Sequence, residues 1–146
     1  MSEIHAILGI YQLKRLETSL QRRNEIAKIY EDGLKGNEHL DLIQVPDNVR
    51  HSYYKYPIRV SETIDKSKLI AEMRRLYDIS LGSSYDPPCH LQPLYQEAHG
   101  YHQGMLPVAE ETLKQIVALP MFVQMTNKEV EHVIQCLREV LPDCEK

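Results

Sequence analysis

The chain has 146 residues, room for one domain. Its make-up, 42% hydrophobic and 26% charged, is that of a globular protein and excludes a disordered one. A formal net charge of −4 excludes the basic footprint that non-specific nucleic-acid binding requires.

The first predicted element is a long helix from about Ser2 to Leu34, with Ile26, Ile29, Tyr30 and Leu34 at helical spacing and Gly33 and Gly36 as its stop signal. From Leu13 onward one face is apolar and the other carries Lys14, Arg15, Arg22, Arg23 and Lys28. Before Leu13, Ile4, Ala6, Ile7, Leu8, Ile10 and Tyr11 surround the helix almost completely. A helix apolar all round is buried on all sides, so the remainder of the domain, a second copy or a further segment is expected to cover it. Next come a short strand at Leu42–Pro46 and a second in the run His51–Val60. In that run Tyr54, Tyr56, Ile58 and Val60 share one face at period two, and Pro57 points to an edge position or a bulge. A helix over Lys66–Tyr77 is predicted with Asp65 as N-cap and Leu69, Ile70, Met73, Leu76 and Tyr77 as its buried stripe.

Ile79–Leu81 reads as a short strand, and Gly82–Pro88 breaks regular structure. Cys89–Gly104 is a long polar-aromatic loop, with one turn of helix near Leu94–Gln96; loops of this length often carry function. Pro107 opens a helix running to about Val117, with Glu110 and Glu111 near its start. A short extended piece, Ala118–Met121, leads to a capping box of Thr126 and Glu129. Val130, Val133, Ile134, Leu137 and Leu141 then line a last amphipathic helix that Pro142 follows. The order predicts an α+β fold: a small, mainly antiparallel sheet packed against helices.

No apolar run approaches the roughly 20 residues of a membrane span, and Met1–His5 lacks a basic region leading into a signal-like stretch. Cys89, Cys136 and Cys144 are irregularly spaced and form no CxxC pair, so a reduced, cytoplasmic setting is expected. Among site chemistries, Cys89 with the adjacent His90 is not a dyad by adjacency. His99 and His102 lack a second ligand pair for zinc. No Gly-rich phosphate loop exists, and carboxylate pairs such as Glu110–Glu111 read as solvated helix faces. Residue chemistry alone leaves a soluble α+β domain with one interesting loop and no metal site.

The order of motifs carries more. Met1–Leu16 resembles the "M-S-E-I-x-A-A-x-G-x-x-Q-L-x-x-L" segment of the DegT/DnrJ/StrS family of sugar aminotransferases. Arg22-Arg23 with Tyr30–Leu34 resembles its "R-R-x-x-A-x-x-Y-x-x-x-L", and His51 with Tyr53–Val60 its "H-x-x-x-x-Y-x-I-R" strand. Pro87–Tyr95 resembles "P-x-H-x-Q-P-x-Y", Gly104–Glu110 "G-x-x-P-x-A-E", and Leu119–Met121 with Met125-Thr126 "L-P-x-x-x-x-M-T". The resemblance implies the small, C-terminal domain (residues 1–146) of a fold-type-I, pyridoxal 5'-phosphate (PLP)-dependent transferase. Such an enzyme moves an amino group, commonly from glutamate, to a keto-sugar nucleotide and works as a homodimer. It also implies that the large PLP-binding domain, with the "S-x-x-K" lysine and the pyridine-nitrogen aspartate, is not in this sequence. This chain alone is then expected to hold no catalytic residue and to bind no PLP. By the same resemblance His90 reaches toward the sugar substrate, with Gln92 and Tyr95 on the same loop and Tyr85 leading into it. His90 as a hydrogen-bonding group that structures the loop is the second reading. A stand-alone binding or dimerisation module is the alternative function.

Overall fold

The computed structural model describes residues 2–83 and 85–146. Met1, which opens the M-S-E segment, and Ser84, in the predicted breaker segment, lie outside the described residues. Ser2 starts the first helix, α1 (Glu3–Leu34), by accepting the His5 N–H. Its 32 residues span about 48 Å. Gly36, at φ 79°, makes the exit turn that a side chain would strain. Gly33, expected to help stop the helix, instead lies inside it: a Cβ there would come within 2.6 Å of the Ile134 side chain, so it is a close-approach glycine. Only the last third of α1 is buried, at Ile26, Ala27, Tyr30 and Leu34.

The first strand, β1 (Leu40–Leu42), begins two residues before the prediction, because Leu40 is buried whereas Ile43 is exposed. The second, β2 (Tyr56–Val60), turns Tyr56, Ile58 and Val60 inward as predicted. Tyr54 does not join that face: it is 72% exposed, beyond a turn in which Tyr53 adopts φ 42°. β2 is not an edge strand, for it pairs with both β1 and β4 (Ile116–Leu119). Pro57 is nevertheless accommodated as an edge residue would be. The β1 ladder starts at Ile58, so at Pro57 only β4 lies alongside.

Helix α2 (Lys66–Tyr77) has the predicted bounds, with Asp65 accepting the Lys68 N–H. Leu69 and Met73 are buried, whereas Leu76 faces solvent. The next strand, β3, is Gly82–Ser83 rather than Ile79–Leu81. The long loop holds more structure than one turn: a 3-10 turn at Cys89–Leu91 and a two-turn helix, α3 (Pro93–His99). Pro107 does open α4 (Pro107–Gln115), which stops at Gln115 to release β4. Thr126 and Glu129 form the capping box of α5 (Asn127–Val140).

The sheet order is β1-β2-β4-β3 with every pairing antiparallel. This is the predicted α+β arrangement. Helices α1 and α2 both pack on α5, and the three share one core with Ile58, Val60, Val117 and Leu119 of the central strands. Two arginines expected on the solvent face of α1 bind distant segments of the chain instead. Arg23 donates to the Tyr53 and Tyr54 carbonyls, and Arg22 to Met125 O and Asn127 Oδ1. They tie the chain before β2 and the start of α5 to α1. No described helix is long and apolar enough to cross a membrane.

Candidate functional site

The long loop folds back on α4 around a cavity of about 440 Å³. Tyr85, Tyr95 and Tyr101 give it aromatic walls; Pro88, Leu106, Ala109 and Leu113 give it aliphatic ones; Cys89 and His90 complete it. The lining is almost wholly carbon. Three other hollows among the described residues are larger, about 540 Å³ at the start of α2, about 610 Å³ beside the start of α5 and about 830 Å³ beside α1, but none gathers the predicted residues.

Three of the four predicted site residues meet at the smaller cavity: Tyr85, His90 and Tyr95. Tyr85 sits at φ 55°, is 62% exposed, and carries the Lys55 ammonium 5.1 Å from its ring centre. Tyr95 stacks with His99 at 6.3 Å between ring centres. Gln92 is not part of the wall. It precedes the first residue of α3 without a side-chain capping bond, and its Nε2 donates to Pro87 O at 3.0 Å, which closes the loop upon itself.

His90 is buried, and its Nε2 lies 3.0 Å from Glu110 Oε1. A carboxylate can only accept, so this nitrogen carries the proton and donates. Glu110 also accepts the Gly104 N–H at 2.9 and 3.0 Å and the Leu106 N–H at 3.2 Å. Glu110 is thus not the solvated helix-face residue expected from sequence; its side chain is 11% exposed. The Gly104 amide first, then the His90 ring, hold its carboxyl below the ordinary carboxylate range. One carboxylate joins the two ends of the loop, so part of His90 serves loop structure. On the opposite side Lys66, whose side chain is 12% exposed, pairs with Asp86 at 2.9 Å and donates to Leu113 O at 3.0 Å. That ties the loop entrance to α2 and α4.

Tyr101, Leu106, Leu113, Glu110 and Lys55 were not read as site residues from sequence. The "G-x-x-P-x-A-E" segment was a signal for Glu110, and its glycine and glutamate prove to be hydrogen-bonded to one another. Among the described residues no group of three or more potential ligands could hold a metal ion.

The sequence matches the DegT/DnrJ/EryC1/StrS aminotransferase family over residues 1–138. It is similar to the dTDP-3-amino-3,4,6-trideoxy-alpha-D-glucose transaminase of Micromonospora megalomicea. That likeness is 32% identity over 145 residues, covering 97% of this chain and 37% of that protein. It is also 31% identical over 144 residues to the spore coat polysaccharide biosynthesis protein SpsC of Bacillus subtilis, again covering 97% of this chain and 37% of that protein. Among solved structures, the fold is like that of Spr1654 of Streptococcus pneumoniae in its PLP-form, a protein assigned as a sugar aminotransferase. The TM-score is 0.89 at 25% identity, covering 100% of this chain and 37% of that one. The chain spans about 37% of the length of the curated relatives it matches.

Proposed function

The chain belongs to the DegT/DnrJ/EryC1/StrS aminotransferase family, and from that membership we propose that residues 1–146 are the small, C-terminal domain of a PLP-dependent nucleotide-sugar aminotransferase. The complete enzyme transfers an amino group from glutamate to a keto-sugar nucleotide, as a cytoplasmic homodimer. This domain supplies substrate-side surface around Tyr85, His90, Gln92 and Tyr95, together with part of the dimer interface. The observation that carries the reading is the family match along 1–138, which includes the loop whose residues surround the cavity.

The residues present do not by themselves fit PLP. No lysine or arginine lines the cavity. Lys66 is held by Asp86 and Leu113, Lys68 donates to Asp143 O, and Lys28 and Lys114 pair with Asp32 and Glu111. PLP, when bound in the complete enzyme, supplies the electron sink for amino transfer. The residues of this chain bind and orient: the loop's aromatic wall, fixed by Glu110 and Lys66, offers a stiff surface for the substrate.

A PLP absorbance titration tests this, on the chain alone and mixed with the large domain of a family member. The expected result is no borohydride-trappable imine on one specific lysine of the chain alone, and amino transfer to a keto-sugar nucleotide once the large domain is added. Site-specific trapping on the chain alone, or no activity in any such mixture, overturns it. The exposed apolar start of α1 favours a second reading, a dimerisation module without catalysis. In that case the chain self-associates but complements no large domain.

A further inference from the structure

The cavity between the loop and α4 has a chemistry that suits one end of a nucleotide sugar better than the other. Three tyrosines, a proline and three aliphatic side chains give a wall almost wholly of carbon. A sugar ring buried there would leave hydroxyls without partners, a costly arrangement. The polar residue best placed to help, His90, already donates from Nε2 to Glu110. A planar base can lay its π-faces on tyrosine while its polar edge stays toward the open side of the cavity, which a sugar with hydroxyls all round cannot do. The volume, about 440 Å³, lies within the roughly 300–1,000 Å³ of small-molecule pockets. A cation stands beside the wall, Lys55 Nζ at 5.1 Å from the Tyr85 ring centre, where it can meet an anionic tail leaving the cavity.

We propose that this cavity is a nucleobase subsite: Tyr85 and Tyr95 receive the flat base, Lys55 faces the phosphates, and the sugar lies outside the cavity. The inference rests on the proposed nucleotide-sugar function and narrows it to one moiety. It separates binding roles within the loop. The aromatic residues select the base, while His90 and Glu110 hold the wall in place.

The chain carries its own reporter. Cys89 lines the cavity and is exposed, whereas Cys136 and Cys144 are buried, with thiols that burial pushes up and makes unreactive. The rate of Cys89 modification by a thiol reagent is measured on the 146-residue chain with thymidine, dTMP, UMP or glucose 1-phosphate added. A Cys89→Ser control assigns the signal. Saturable slowing by dTMP or UMP but not by glucose 1-phosphate is expected. Tyr95→Ala should weaken that protection on the order of tenfold. Lys55→Met should bring dTMP down to the level of thymidine while leaving thymidine unchanged. Protection by glucose 1-phosphate alone makes the cavity a sugar site: the inference falls and the aminotransferase reading stands. Protection by none of the probes also overturns the inference, while complementation by a large domain still decides the function separately. If Tyr95→Ala proves unfolded by circular dichroism, Tyr95→Leu tests stacking with the core intact, and unchanged dTMP protection in that variant sinks the proposal.

Discussion

Glu110 shows how much one side chain can do for a loop. Its two oxygens receive His90, Gly104 and Leu106, groups at both ends of the Cys89–Gly104 segment. Because these donors lower its folded pKa, the sign of its pH dependence follows. The unfolded carboxyl titrates near about 4.3. Its stabilisation is therefore complete above that pH and disappears as pH falls through the lower folded value. Glu110→Gln should flatten the acid limb of a stability–pH curve below about pH 4 and raise the Cys89 modification rate at pH 7. Urea melts at pH 7 and pH 3 check the first effect and thiol kinetics the second; an unaltered acid limb would show the carboxylate to be unimportant. Tyr30 is a residue-scale case within the core. Its hydroxyl donates to Pro120 O at 2.8 Å, and burial raises its pKa far beyond the ordinary phenol. Tyr30→Phe leaves that carbonyl without its donor and should cost about 1–2 kcal/mol, read from the urea midpoint at constant m-value.

At the scale of elements, α1 and α5 meet where Gly33 lets Ile134 approach. Gly33→Ala gains about 1 kcal/mol of helix propensity but forces a methyl into Ile134, an overpacking of about 1–3 kcal/mol. A net loss of about 1 kcal/mol is expected. Ile134→Val removes the Cδ1 methyl and should convert that loss toward a gain in the double variant; strict additivity of the two changes would refute the contact. Elements with local signals were legible in the sequence. Asp65 and the Thr126–Glu129 box write the starts of α2 and α5 next to their apolar stripes. β4 was legible only in its second half, as the extended piece expected from Ala118; its start at Ile116 was not, since Leu113 and Val117 continue the helical spacing of α4 and no glycine or proline intervenes before Pro120. What ends α4 there is tertiary: Val117 and Ala118 pair with β2 on one side and β3 on the other. The site divides the same way. Tyr85, His90 and Tyr95 lie close together in one conspicuous loop. Glu110, twenty residues after His90, and Leu106 and Leu113 join them only through the folding of α4 against that loop, which no periodicity records.

For the whole molecule, α1 is the element that stands out. Ile4, Ile7, Leu8, Ile10, Tyr11 and Leu13 are each more than half exposed, whereas Ile26 and Tyr30 are fully buried on the same helix. A patch of that size exceeds what a solitary protein ordinarily shows water, and each Å² covered is worth roughly 25 cal/mol. Sedimentation should therefore show association that rises with concentration, weakened by Leu8→Glu; a monomer at every concentration, indifferent to that change, would count against it. The same helix also forms a gradient of time. An isolated helix of about 12–15 residues is marginal in water, and the stretch before Glu17 has little to lean on beyond the Glu17–Arg50 ion pair. Dissolved in deuterium oxide at low concentration, its amides should exchange from the N-terminal end inward: rapidly near Ile7, slowly by Arg22, and near Tyr30 only when the whole fold opens. Raising the concentration should lengthen the lifetimes near Ile7 alone. One uninterrupted helix would then record, amide by amide, whether a surface has come to rest on its free end.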